Sequence, residues 1–307
     1  MQNFCWDIEM PEVSSVMPSA VPAIDEVISV CSIKDIDVWT VAAKHIVQYI
    51  SAKQYTVIVP DAQVQMFSAV TKVPYQVKPE SLFVGNLKEK IAQTLTPENQ
   101  DRVGWYLQQF VKISAVLTHD DRDVVLIWDA DTVPLKQLEF INSRGQFIYY
   151  KGDEYRKSYF DFIERALGLK RTQNFSFIAQ SLILKVSWAR ELTNALAQSA
   201  QLPWIDAVLS FLDKAEPAGF AEFETLGTWI WNHHHDEIII SERPWYRNGL
   251  SLVGNPPKLS QSVWNGLAKS YDFISFEGWD ELVGLRKRLK RIARRYQYSY
   301  RGKASAV

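Results

Sequence analysis

Cysteine is nearly absent from this 307-residue chain: Cys5 and Cys31 are the only two. No CxxC and no Cys/His zinc spacing occurs, which argues against a disulfide framework and a structural zinc module. No apolar stretch approaches the ~18 residues needed to span a bilayer. The first residues include acids and have no basic flank before an apolar run, unlike a secretory leader. These absences predict a chain kept in the reducing cytoplasm. A GxGxxG turn and a P-loop are also missing, which disfavours nicotinamide and ATP chemistry. The formal net charge is only −1, but it is unevenly spread. Between Arg286 and Lys303 lie nine Lys/Arg and no acid, leaving 25 basic against 35 acidic residues elsewhere, a balance of −10. The sequence thus reads as an acidic body with a basic tail.

What is present is a globular composition, 47% hydrophobic and 22% charged. The length suits one large α/β domain with a helical annex, or two domains. Eleven tryptophans stand out. They serve as core, or they line a sugar cleft, because the apolar face of a pyranose stacks on an aromatic ring.

Residues 1–23 contain Pro11, Pro18 and Pro22 and read as an irregular lead-in. Val27 to Ile33 is a short β-branched run, Asp37 to Ile50 has helical spacing, and Tyr55 to Val59 is a second apolar run stopped by Pro60. Strand, helix, strand predicts a parallel sheet with a crossover helix. Tyr75 to Val77 is a third short strand, and Pro97 to Leu117 a helix with Thr96 as its cap. Asp123 to Trp128 (DVVLIW) is the most hydrophobic strand of the N-terminal half, and it runs into Asp129-Ala130-Asp131. Beyond it, Gln146 to Tyr150, Phe175 to Leu184 and Ile238 to Ile240 read as strands. Tyr159 to Leu167, Trp188 to Gln198, Ile205 to Leu212, Phe220 to Asn232 and Leu282 to Arg295 read as helices.

In open α/β sheets ligands bind beyond the carboxyl ends of strands, which is where Asp129 and Asp131 fall. Two carboxylates one residue apart at a strand end both reach one divalent cation, directly or through a water. Mg²⁺ or Mn²⁺ prefers such hard oxygen ligands and fills its remaining sites with phosphate and water. The competing reading is a pair of surface aspartates turning a loop.

The segment VVLIWDADTVPL resembles the DxD segment of GT-A glycosyltransferases. The resemblance extends, in order, to GWYLQQFVK (Gly104 to Lys112), WDADTVPL (Trp128 to Leu135), SFIAQSLIL (Ser176 to Leu184) and AEFETLGTW (Ala221 to Trp229), segments similar to those of a poorly characterised bacterial family of that type. It implies a GT-A-like, Rossmann-type mixed sheet flanked by helices with a helical C-terminal extension. The implied domain spans 24–280, with a nucleotide-binding half at 24–135, an acceptor half at 136–280 and a basic tail at 281–307. It further implies transfer of a sugar from a nucleotide-sugar, UDP-linked by default, to a glycan or lipid-linked acceptor in surface polysaccharide (lipopolysaccharide or capsule) synthesis. Mn²⁺ or Mg²⁺ would sit on Asp129 and Asp131. An inverting enzyme of this type needs a carboxylate base, for which Glu222 and Glu224 are the candidates; two apart on a helix, they face different ways. A C-terminal histidine completes the metal site in some GT-A enzymes, which points to His234 in the run His233-His234-His235; a polar loop ending a helix is the competing reading. Gln108 and Lys112 share a helix face and are candidates to contact the donor.

Two other readings use the same residues. A haloacid-dehalogenase-like phosphatase would take Asp129 as nucleophile and Asp131 as acid/base, but that motif normally opens its fold and here at least two strands precede it. A catalytically silent GT-A relative would keep the shape alone. In the tail, Leu285, Leu289, Ile292 and Tyr296 recur at helical spacing among basic residues. That is the pattern of a helix lying on an anionic membrane surface, the inner face of the cytoplasmic membrane for this chain. No nucleic-acid module accompanies it, and packing on the acidic body is the alternative.

Overall fold

The computed structural model describes residues 23–280 and 285–303. The lead-in expected over 1–23 lies outside the described residues except for its last position. Nine strands are seen among the described residues: β1 (Glu26–Val30), β2 (Gln54–Val59), β3 (Tyr75–Pro79), β4 (Val124–Trp128), β5 (Thr132–Pro134), β6 (Phe147–Tyr150), β7 (Ser181–Lys185), β8 (Ile238–Ser241) and β9 (Phe273–Ser275). Five form the central sheet in the order β3-β2-β1-β4-β7. The first four run parallel and β7 is antiparallel to β4. Helices Ile36–Tyr49, Val64–Val70 and Val103–Val116 fall in the successive connections. The fold class is the expected one, a mixed α/β sheet flanked by helices.

The composition of the strands explains the layers. Every residue of β4, VVLIW, is buried, as befits a strand covered on both faces. The chain builds outward from β1 to β3, then crosses back to place β4 on the other side of β1. Strand order therefore reverses between β1 and β4, and an open sheet has its crevice at that point. Ile28 pairs with Ile127, so Val30 and Asp129 leave the sheet at the same edge.

Two expectations are corrected. The run Phe175 to Leu184 is not one strand: pairing starts at Ser181, because Gln180 adopts φ 62° and turns the chain. The helix expected from Pro97 divides into a 3-10 segment, Pro97–Arg102, and the α-helix Val103–Val116; Thr96 makes no side-chain capping bond. Pro134 lies off the central sheet, opposite Phe273 in the antiparallel ribbon β5–β9, where a two-stranded edge tolerates its missing N–H. The ribbon strands are too short to show a period.

The C-terminal helix, Leu285–Lys303, packs on the helix Gln261–Ala268 through glycine. A Cβ on Gly266 would lie 1.9 Å from the Tyr298 carbonyl oxygen, and one on Gly302 would lie 2.0 Å from that of Ser262. The two backbones approach more closely than any side chain permits. Of the expected apolar stripe, Ile292 and Tyr296 point away from the body; the side chains of Leu285 and Leu289 lie outside the described residues. Among the described residues no helix is long and apolar enough to cross a membrane. Gly266→Ala is expected to lower stability by about 1–3 kcal/mol through overpacking, read from urea denaturation. Wild-type stability would mean that the two helices do not pack at this distance.

Candidate active site

A cavity of about 800 Å³ opens at the β1/β4 edge. The sheet contributes Val30, Asp129 and Asp131, with Asp35 from the turn after β1. The helix Val103–Val116 adds Trp105, Gln108 and Lys112, and the start of the helix Glu222–His233 adds Glu222. Tyr155, Arg156, Arg247, Glu277 and Trp279 complete the mouth.

Lys112 is the best-defined charge in the site. It is 3% exposed, and its Nζ lies 2.5 Å from Asp129 Oδ1 and 2.6 Å from Glu222 Oε1. Burial alone would lower a lysine pKa; the two carboxylates outweigh it and hold Lys112 firmly protonated. The same helix face binds the incoming segment at three further points. Arg102 Nε donates to the Pro217 carbonyl at 3.0 Å, Tyr106 Oη accepts from Gly219 N at 2.8 Å, and Gln109 Oε1 accepts from Glu222 N at 3.0 Å. Positions 102, 106, 109 and 112 follow the helical repeat, so this face docks residues 217–222 and sets Glu222 against Lys112.

The opposite wall is acidic. Burial pushes the Asp131 carboxyl well above the ordinary range, and the neighbouring charges of Asp129, Glu277 and Asp35 push it further. Its Oδ1 accepts from Thr132 and Ser275 hydroxyls at 3.3 Å each. Glu277 is also raised by burial, opposed by Arg247, whose Nε donates to it at 2.5 Å. Arg247 bonds Glu154 as well. Gln180 Nε2 donates to Glu277 at 2.9 Å, and its backbone oxygen accepts from Asp129 N at 2.9 Å. Holding a non-glycine residue at positive φ costs energy, and such strain collects at functional sites.

Carboxylates crowded so closely favour a bound cation. Their oxygens are the donors that Mg²⁺ or Mn²⁺ prefers. Among the described residues, no group of three or more His, Cys, Asp or Glu is arranged to hold an ion. An ion on Asp129 and Asp131 would therefore need further oxygen ligands from a bound molecule or water, the coordination of a cation shared with a diphosphate.

Asp129, Asp131, Gln108, Lys112 and Glu222 all line this one cavity. Glu224 does not. It is 1% exposed, and its Oε2 accepts from Ser176 Oγ and from Phe177 N, anchoring the SFIAQ segment. Gly227, one turn on, meets the Phe177 ring, so closely that a Cβ would lie 2.1 Å from it. His234 is likewise not brought to the site. Its Nε2 bonds Glu191 at 2.6 Å and its ring stacks on Trp188. The reason is geometric: Glu222 starts a helix of 12 residues and His233 ends it, which separates them by about 18 Å. Sequence reading missed Asp35, Gln180, Arg247, Glu277 and Trp279; the acid-aromatic cluster Glu277-Gly278-Trp279 after an apolar run was the one available signal.

An α/β sheet that delivers an Asp-x-Asp pair to an acidic crevice at its switch point defines the class of site. Residues 13–236 match the model described as a family of unknown function, DUF6492, and the chain belongs to that family. No curated protein sequence matches it. Among solved structures it is similar to apo mouse xyloside xylosyltransferase 1, at 10% identity over 85% of this chain and 100% of that one, TM-score 0.43. It is also similar to galactosyltransferase LgtC with donor and acceptor sugar analogs, at 8% identity over 90% and 95%, TM-score 0.47. A third is the glycosyltransferase GlyE of Streptococcus pneumoniae TIGR4 in its apo form, at 13% identity over 90% and 60%, TM-score 0.43.

Two outcomes follow from the buried charges. Lys112→Met strands two carboxylates and is expected to cost about 3–5 kcal/mol in equilibrium unfolding; a loss under about 1 kcal/mol would show that solvent reaches the bridge. Burial pushes Glu224 up to about 7 from the ordinary 4.5. Its contribution to stability is therefore full below about pH 4.5 and is lost as pH rises through 7. Glu224→Gln lacks that loss, so between pH 4.5 and about 8 the variant should gain up to about 3 kcal/mol on the wild type. A stability difference that is flat with pH would refute the shift.

Proposed function

We propose that this protein is a metal-dependent glycosyltransferase that moves a sugar from a nucleotide-sugar, UDP-linked by default, to a glycan or lipid-linked acceptor. Bacterial surface polysaccharide synthesis (lipopolysaccharide or capsule) at the inner face of the cytoplasmic membrane is the setting. The observation that carries the reading is the position of Asp129 and Asp131, at the switch-point edge and facing a cavity rich in carboxylates. Bound there, Mn²⁺ or Mg²⁺ would neutralise the charge that develops on a diphosphate leaving group.

The chain's own residues take the remaining roles. Lys112 fixes the orientation of Asp129 and Glu222 relative to each other. Glu222 is the candidate base for the acceptor hydroxyl: burial raises its pKa, which brings it nearer the working pH where a general base is most effective. Gln108, one helical turn from Lys112, offers an amide to the donor. Residues 24–135 form the nucleotide half and 136–280 the acceptor half, with Tyr155, Arg156 and Trp279 at the acceptor mouth.

Isothermal titration of wild type and Asp131→Ala with UDP, GDP and CMP, with and without Mn²⁺, tests the reading. One nucleotide should bind only with Mn²⁺, at least about tenfold more weakly in the variant. Because a ligating carboxylate must give up its proton and Asp131 holds its proton unusually firmly, Mn²⁺ affinity should fall as pH is lowered. Metal-independent binding, or no nucleotide binding together with phosphate release from a generic monoester, would sink the proposal.

A further inference from the structure

Over its described side chains, 290–303, the C-terminal helix inverts the usual polarity of a surface helix, which turns its apolar stripe inward. The face against the body carries Tyr298, Gly302 and two arginines: Arg295 Nε donates to the Val253 carbonyl, and the Arg295 guanidinium and the end of the Arg291 stem lie over Gly254. The outer face carries Ile292, Tyr296 and Tyr300 at four-residue steps, 48%, 75% and 77% exposed. Lys290, Arg294, Arg301 and Lys303 are exposed around them. An exposed apolar stripe rimmed by charge marks a contact surface.

Charge decides what the contact is. From Arg286 to Lys303 the chain has nine Lys/Arg and no acid. A second copy docked through the same face would set like charge against like charge. Nucleic acid would satisfy the cations and leave Ile292 without a role. A bilayer with anionic headgroups uses both features: cations approach its surface, and tyrosine and aliphatic side chains settle at the boundary of headgroup and acyl chain. We propose that this face seats the protein on an anionic bilayer, with Ile292, Tyr296 and Tyr300 entering the interface. The inference shares the membrane setting of the reading above but does not depend on sugar transfer.

The test is co-sedimentation of the full chain with vesicles of mixed phosphatidylcholine and phosphatidylglycerol, and of phosphatidylcholine alone. Wild type should bind the anionic vesicles, and added salt should weaken the binding. The variant I292S/Y296S/Y300S keeps every charge and changes only exposed side chains; it should bind at least about tenfold more weakly. R294E/R301E should weaken binding as well. Equal binding to both vesicle types, no binding to either, or unchanged binding by the apolar variant would overturn the proposal. So would binding of polyuridylate in place of vesicles. Nucleotide titration of the apolar variant should match wild type, so failure to dock and failure of the sugar-transfer reading are read separately.

Discussion

A buried ammonium group between two carboxylates constrains this molecule more than any other contact. Lys112 is almost wholly buried, and a charge taken out of water needs close partners. One partner, Asp129, is the first residue after β4; the other, Glu222, begins a helix 93 residues later. The sheet edge and the second half of the chain must therefore meet with ångström accuracy. The side chains of Arg102, Tyr106 and Gln109 make that meeting reproducible by fixing residues 217–222 along the same helix face. The acidic wall then stands opposite a cation that is already committed, so its excess negative charge remains for a ligand to answer.

The central sheet was legible because its inner strands are buried and read as unbroken apolar runs; DVVLIW and YTVIV could hardly be anything else. The crossover helices followed from their period. The ribbon β5–β9 was not legible. Three residues cannot show an alternation, and its partners lie about 140 positions apart, a pairing that only the assembled fold enforces. The turn at Gln180 was hidden for a different reason: nothing in FIAQS announces a positive φ, which glutamine adopts only because both its backbone and its side chain are held.

The site divides the same way. Asp129 and Asp131 were readable because their chemistry is local, a pair at the end of one strand. Glu222 was found together with Glu224, but the pattern could not say which of them faces the cavity; that depends on the docking of the helix start. His234 misled because adjacency in sequence to a catalytic helix says nothing about which end of the helix the site occupies. Arg247 and Glu277 belong to the site through the ribbon, and no local pattern tied them to it.

The ribbon has a consequence for how the protein comes into being. A chain emerging from its N-terminus can complete the four parallel strands by Trp128 and the antiparallel fifth by Lys185. The part of the wall beside Asp131 is supplied by β9 and Glu277, nearly a hundred residues later. A growing chain thus owns a finished sheet long before it owns a finished crevice. The acidic edge remains open to solvent during that interval: Asp35, Asp129 and Asp131 already face one another, and Glu277 adds its share of the repulsion only later.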